Sequence, residues 1–229
     1  MRILVTLLIL LFPAVGHSQN TSGEARQVQC RFLIFGGVDK PKLVNATGPK
    51  DSTVPCPLSA SKISDPVSCV AKGNKIKFTS EGEGTPLAIA SIPSGVRAAI
   101  LIFVPQSKDT SLPWKVILIE DSAKNFPDGG AFVANFHGDN IRFIIGEHKG
   151  ALRPAQTQGY ARPENRDSFN MAPVIFEFRQ KDKWRKGNES ALRFLPGIRY
   201  LIFAYTDPKS KRPKINTYQD FRSVSTSTP

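Results

Sequence analysis

Residues 121–146 read DSAKNFPDGGAFVANFHGDNIRFIIG, a polar segment with a tight turn, followed by two apolar runs separated by a second turn. In PDGG, residues 127–130, the proline fixes φ at the first corner and a glycine takes the positive φ that such a turn requires. AFVANF and IRFII are short and rich in β-branched and aromatic residues, and turn residues bound them on both sides. This succession predicts β-strands joined by hairpin turns.

The same alternation of short apolar runs and turn residues continues in both directions along the chain, with 18 Pro and 17 Gly falling mostly between the runs. Helical periodicity is nearly absent, because Gly or Pro interrupts each window in which it begins. Residues 98–104 and 200–205 are continuously apolar, which predicts central strands that are covered on both faces. We therefore predict an all-β protein, an antiparallel, immunoglobulin-like β-sandwich in two closely packed modules.

The two predicted modules span residues 27–108 and 112–222, with a frayed tail at 223–229. The segment PQSKDTSLP, residues 105–113, marks the division between them. It also fits a long hairpin loop, in which case the runs on its two sides would pair and the halves would share a sheet.

The first residues, MRILVTLLILLFPAVGHS, have the three regions of a secretory signal peptide: a positive start, an apolar core and small residues before a cleavage site. We predict a leader at residues 1–18 and an exported protein, periplasmic or secreted. A membrane anchor is the alternative, but the apolar run is about half the roughly 20 residues that a span needs. The mature chain is predicted to contain no transmembrane segment.

Export would permit a disulfide among the three cysteines. A bridge between Cys56 and Cys69 would close a short loop and leave Cys30 as a buried thiol in an apolar run. Pairings that involve Cys30 remain open. A catalytic thiol is a further alternative, but no histidine lies near any cysteine in the sequence.

The acidic residues of the segment 121–146 raise the question of a metal site. Asp121, Asp128 and Asp139 are too far apart for a calcium loop, in which carboxylates occupy alternate positions. Local backbone chemistry explains each of them: Asp121 or Ser122 caps a short turn, and the others lie in tight connections. We predict no metal and no cofactor.

The order ILIEDS, FPDGG, VANF and IRFIIG resembles a family of exported bacterial all-β proteins without a characterised activity. The resemblance is clearest over residues 97–205, and its most recognisable motif is D-S-x-x-x-F-P-x-G with an Asn near the end of the following strand. It implies a β protein of the cell envelope and indicates no catalytic residues.

The formal charge of +12 favours anionic partners, although a basic envelope protein without a dedicated ligand has the same composition. Two segments concentrate cations, FRQKDKWRKGN at 178–188 and PKSKRPK at 208–214. A tryptophan among cations suits an anionic polymer with rings; the alternative is a hairpin tip with its tryptophan folded onto the core. The predicted binding residues are Lys181, Lys183, Trp184, Arg185, Lys186, Lys209, Lys211, Arg212 and Lys214.

No hydrolase or nucleotide-binding motif occurs, and the two histidines beyond the leader, His137 and His148, lie in predicted turns. We therefore expect a non-enzymatic envelope protein, binding or structural, with affinity for an anionic envelope polymer or another envelope protein. Nucleic acid is not expected. A hydrolase acting on envelope glycans is the alternative, and it would need two carboxylates in one pocket, for instance Glu120 and Glu177.

Overall fold

The computed structural model describes residues 25–36, 40–82, 84–106 and 110–221. Within them, sixteen β-strands form four four-stranded sheets, accompanied by one short 3-10 helix, Pro49–Asp51. The prediction of an all-β sandwich in two modules is confirmed. The predicted leader and the tail at 223–229 lie outside the described residues.

The first eight strands form the N-terminal sandwich. Its inner sheet, which faces the other sandwich, has the order β4-β1-β7-β8, and its outer sheet has the order β3-β2-β5-β6. In chain order the strands are β1 (Arg26–Ile34), β2 (Leu43–Thr47), β3 (Thr53–Pro57), β4 (Val67–Ala71), β5 (Lys75–Thr79), β6 (Pro86–Ser91), β7 (Ala98–Pro105) and β8 (Trp114–Glu120).

The last eight strands form the C-terminal sandwich, with an inner sheet β12-β9-β15-β16 and an outer sheet β11-β10-β13-β14. In chain order they are β9 (Ala131–Phe136), β10 (Ile141–Ile145), β11 (His148–Leu152), β12 (Thr157–Tyr160), β13 (Met171–Gln180), β14 (Lys183–Arg193), β15 (Ile198–Thr206) and β16 (Pro213–Phe221).

Both sandwiches have the same topology, strand for strand. In each inner sheet the first and seventh strands are parallel neighbours, whereas all the other pairings are antiparallel. Gln29 pairs with Ala98 in the first sandwich and Ala131 with Tyr200 in the second, at the same separation along the chain. The molecule is therefore a tandem repeat of one eight-strand unit, which the sequence analysis did not detect.

The predicted division at residues 108–112 falls within a hairpin of the N-terminal sandwich. Strands β7 and β8 pair antiparallel from Ala99–Glu120 to Pro105–Trp114, so β8 completes the first inner sheet. The chain passes from one sandwich to the other between Glu120 and Ala131, through the segment with the PDGG turn.

Three apolar clusters fill the spaces between the four sheets. Two of them lie inside the sandwiches, and the third lies between the inner sheets, with Leu33, Ile102, Phe132 and Phe203 among its members. The sheets therefore stack as outer, inner, inner, outer. This stacking buries β7 and β15 on both faces, which explains why their sequences lack alternation.

A buried ion network crosses the interface between the sandwiches. The Arg199 side chain is fully buried; it pairs with Asp220 on the neighbouring strand and, at 2.8 Å, with Asp121 of the first sandwich. Arg31 on β1 pairs with Asp220 at 2.6 Å. Arg199 also donates a hydrogen bond to the carbonyl oxygen of Phe126 at 2.8 Å.

The explanation of Asp121 by local turn chemistry is therefore wrong. The Ser122 hydroxyl caps the turn, because it accepts a hydrogen bond from the Asn125 backbone N–H at 3.3 Å. The Asp121 carboxylate instead compensates the charge of Arg199, which has no access to water.

Candidate functional site

The segment that begins at Asp121 forms the PDGG turn and then strand β9. The Gly130 N–H donates a hydrogen bond to the Pro127 carbonyl at 3.1 Å, and Gly129 has a φ of +69°. Asp128 ties the turn to the second sandwich by accepting a hydrogen bond from the Gly197 N–H at 2.9 Å. In the part of the chain that the structure describes, no three potential ligand side chains are grouped to hold a metal ion.

The two cationic loops lie at one end of the C-terminal sandwich, around His137. This residue follows β9, and its Nδ1 lies 2.7 Å from the Thr206 hydroxyl at the end of β15. Its ring is 5.2 Å from that of Phe178, near the end of β13. The turn at 181–182 and the loop at 207–212 follow directly from those two strands, so the sequence segments predicted as one site do share an end.

Acidic residues neutralise part of this charge. Lys214 pairs with Asp207, and Lys186 pairs with Glu189 at 2.6 Å. The Lys214 ammonium group and the loop N–H groups hold the pKa of Asp207 far below its usual range. Among the described residues, no carboxylate lies within 4.0 Å of the remaining cations of the two segments, which are Lys181, Lys183, Arg185, Lys209, Lys211 and Arg212.

Strand alternation divides the predicted residues of β14 between two faces. Trp184 pairs with Arg179 and Lys186 with Glu177 on the outward face, whereas Arg185 is opposite Phe178, whose side chain faces the core. Trp184 is 36% exposed, and the Arg142 guanidinium lies 4.7 Å from its ring centroid. The tryptophan thus lies on the outer sheet beneath an arginine, and not on the core.

A cleft of about 880 Å³ opens between the two sandwiches at this same end. Its apolar wall contains Val104, Ile117, Phe136 and Tyr205, which are the partly buried members of the inter-sandwich cluster. Lys40 and Lys115 line it from the first sandwich, and His137, Thr206 and Pro208 line it from the second. No carboxylate is found among the described residues that line it.

The floor of the cleft is a group of aromatic rings centred on Phe35. Its ring centroid lies 5.4 Å from that of Phe136, 5.1 Å from Tyr205 and 6.5 Å from Tyr218. Burial raises the pKa of Tyr218 to about 12 and lowers that of His137. Both groups are therefore neutral at neutral pH, and the lysines are the charged groups among the described residues that line the cleft.

Sequence reasoning missed the cleft because its walls come from strands that are distant in the chain. Residues of β7, β8, β9, β15 and β16 line it, and the parallel pairs β1–β7 and β9–β15 fix the positions of several of these strands. Neither parallel pairing leaves a local signal in the sequence.

The structure does not bring together the two carboxylates considered for glycan hydrolysis. Glu120 ends β8 in the first inner sheet and accepts a hydrogen bond from the Asn125 side chain at 2.6 Å. Glu177 lies on the second outer sheet, where it pairs with Arg142. A smaller groove of about 530 Å³ contains Asp65 and Asp220, but Asp220 belongs to the buried ion network.

The chain matches no protein-family model and no curated protein. Among the described residues, no helix has the length and apolar character needed to cross a membrane.

Proposed function

We propose that the chain is an exported, non-enzymatic binding protein of the cell envelope, and that the cationic end of its C-terminal sandwich binds an anionic polymer. One observation carries the proposal: the loop at 207–212 and the tip of the β13–β14 hairpin extend from the same end of one sandwich, beside a cleft whose described lining residues include no carboxylate. Export rests on the leader-like character of residues 1–18.

The chemistry of this end favours an acidic polysaccharide. Six cations without a carboxylate partner among the described residues supply repeated positive charge to a repeating anion. The aromatic rings and lysines of the adjacent cleft suit a ring that carries a negative charge, because an apolar wall packs against the ring face while an ammonium group pairs with the acid. Another envelope protein with an acidic surface is the second candidate partner.

In the larger cleft, the absence of a carboxylate among the described lining residues favours binding over glycan hydrolysis. Glycoside hydrolysis by the common route needs two carboxyl groups about 5–10 Å apart across the scissile bond. The described walls of the larger cleft hold lysine, histidine and threonine instead.

The proposal is tested by retention of the purified protein on an immobilised polyuronate at low and physiological salt, with cell-wall sacculi and anionic vesicles in parallel. Replacing Lys209, Lys211 and Arg212 by alanine should weaken retention about tenfold at low salt, at roughly 0.5 kcal/mol for each exposed charge. The wild-type interaction should weaken as salt rises, because screening shortens to about 8 Å at physiological ionic strength.

A matched control removes three exposed cations, Lys50, Lys75 and Lys77, from the outer part of the N-terminal sandwich. It has the same change in net charge but leaves the proposed site on the C-terminal sandwich intact, so its retention should stay close to that of the wild-type protein. Equal losses in the two triple variants, or retention that does not depend on salt, would contradict a dedicated site. Capture by vesicles or sacculi alone would exclude the acidic polysaccharide.

A further inference from the structure

The three cysteines converge in the core of the N-terminal sandwich. Cys30 lies on β1 and Cys69 on β4 of the inner sheet, whereas Cys56 lies on β3 of the outer sheet. All three side chains are buried in one apolar cluster. The Sγ atoms of Cys56 and Cys69 are 3.9 Å apart across the space between the sheets.

Cys69 occupies the central position of this group. Its sulfur is close enough to accept a hydrogen bond from each of the other two thiols, which lowers its pKa. Hydrogen bonding to Cys69, together with burial, raises the pKa of Cys30 and of Cys56. In the folded sandwich these contacts favour the thiolate form of Cys69 over that of the other two cysteines.

Strand register discriminates between the two partners of Cys69. Val28 pairs with Cys69 and Cys30 with Val67, so Cys30 and Cys69 are diagonal neighbours on adjacent strands. Such neighbours are about 7–8 Å apart, more than the Cα separation that a disulfide usually spans. Cys56 reaches Cys69 from the facing sheet instead, where no backbone ladder fixes their separation, and its sulfur already lies 3.9 Å from that of Cys69.

We propose that Cys56 and Cys69 form a disulfide that links the two sheets of the N-terminal sandwich, and that Cys30 remains a buried thiol beside it. The oxidant is a small-molecule or protein disulfide. The Cys69 thiolate attacks one of its sulfurs and releases one thiol; Cys56 then attacks the mixed disulfide at Cys69 and releases the second. The chain loses two hydrogen atoms and two electrons, and the reagent is reduced to two thiols.

The bridge forms while the chain folds, because all three sulfurs are inaccessible in the finished sandwich. For the same reason a reductant reaches the bridge only when the sandwich opens. Dithiothreitol should reduce the native protein far more slowly than the urea-unfolded protein. This inference does not depend on the proposed polymer binding.

The test refolds the full chain in a glutathione redox buffer, blocks free thiols with iodoacetamide in denaturant, and maps linked peptides by mass spectrometry. The expected product carries one blocked cysteine, Cys30, and one linked peptide pair containing Cys56 and Cys69. The oxidised protein should also have a higher urea midpoint than the reduced protein. Three blocked cysteines, or a linked pair containing Cys30, would overturn the assignment.

Two alanine variants sharpen the test. Cys30→Ala should still form the bridge, with an unchanged share of oxidised product. Cys56→Ala should form no bridge, and iodoacetamide should block both of its remaining thiols. Peptide mapping of the wild-type chain decides the pairing by itself, so that conclusion does not depend on whether either variant folds.

Discussion

Replacing Arg199 by methionine should destabilise the protein more than any other single arginine substitution at an ion pair described above. Its side chain is fully buried and serves two carboxylates, those of Asp121 and Asp220. It also donates a hydrogen bond to a carbonyl, and its guanidinium carbon is 3.9 Å from the Phe126 ring centroid. Methionine fills much of the same volume but leaves the carboxylates with Arg31 as their one remaining cation in the network.

The expected loss in unfolding free energy is about 3–5 kcal/mol, the usual cost of removing one partner from a buried ion pair. It is measured as the shift in urea midpoint at pH 7, multiplied by the common m-value.

Arg142→Met is the matched control. Arg142 also pairs with a carboxylate, Glu177, and also stacks on an aromatic ring, Trp184, but its side chain is 47% exposed. Exposed pairs contribute about 0–1 kcal/mol, so this variant should differ from the wild-type protein by no more than that. If the two variants lost similar free energy, burial would not govern the ion network and the reasoning would be refuted.

Two further predictions concern acid and the PDGG turn. Burial alone would raise the pKa of Asp220, but Arg31 and Arg199 outweigh burial and lower that pKa. The stability that this carboxylate contributes is therefore complete above about pH 4 and declines as pH falls through the lowered pKa. In urea titrations from pH 7 to pH 2, the gap between the wild-type protein and Arg199→Met should therefore narrow in acid, and a constant gap would contradict this. Gly130→Ala should lower the free energy of unfolding by about 1–3 kcal/mol, because its Cβ would lie 2.2 Å from the Tyr160 carbonyl oxygen. Gly138→Ala, which has no atom within 4 Å of its Cβ, should stay within about 0.5 kcal/mol of the wild-type value in the same assay.

Much of the local structure was predictable from the sequence. The PDGG turn, the strand at 131–136 and the doubly covered strands at 98–104 and 200–205 all follow from turn chemistry and from the presence or absence of alternation. The cationic segment at 208–214 was also predictable as a connection between strands, whereas residues 183–188 of the other segment belong to β14. These features depend on residues that are close neighbours in the chain.

Asp121 shows where local reasoning failed. Because Asp121 lies beside Ser122 and a turn, its sequence context predicts that it caps the turn. Nothing in that segment indicates that it pairs with a buried arginine. Arg199, its partner, follows a turn and begins an apolar strand, where a cation would be expected at the surface. The pairing exists because two inner sheets face each other, and sheet packing has no signature at either residue.

The sequence by itself determined the class of the fold, because period-two patterns and turn residues act over a few residues at a time. Tertiary structure alone decided that one eight-strand topology occurs twice and that strand ends enclose a cleft. It also decided which cysteine approaches Cys69 across the sheets. Parallel pairing and face-to-face packing join residues that are far apart in the chain, and the free energy of those contacts is realised only when the sheets assemble.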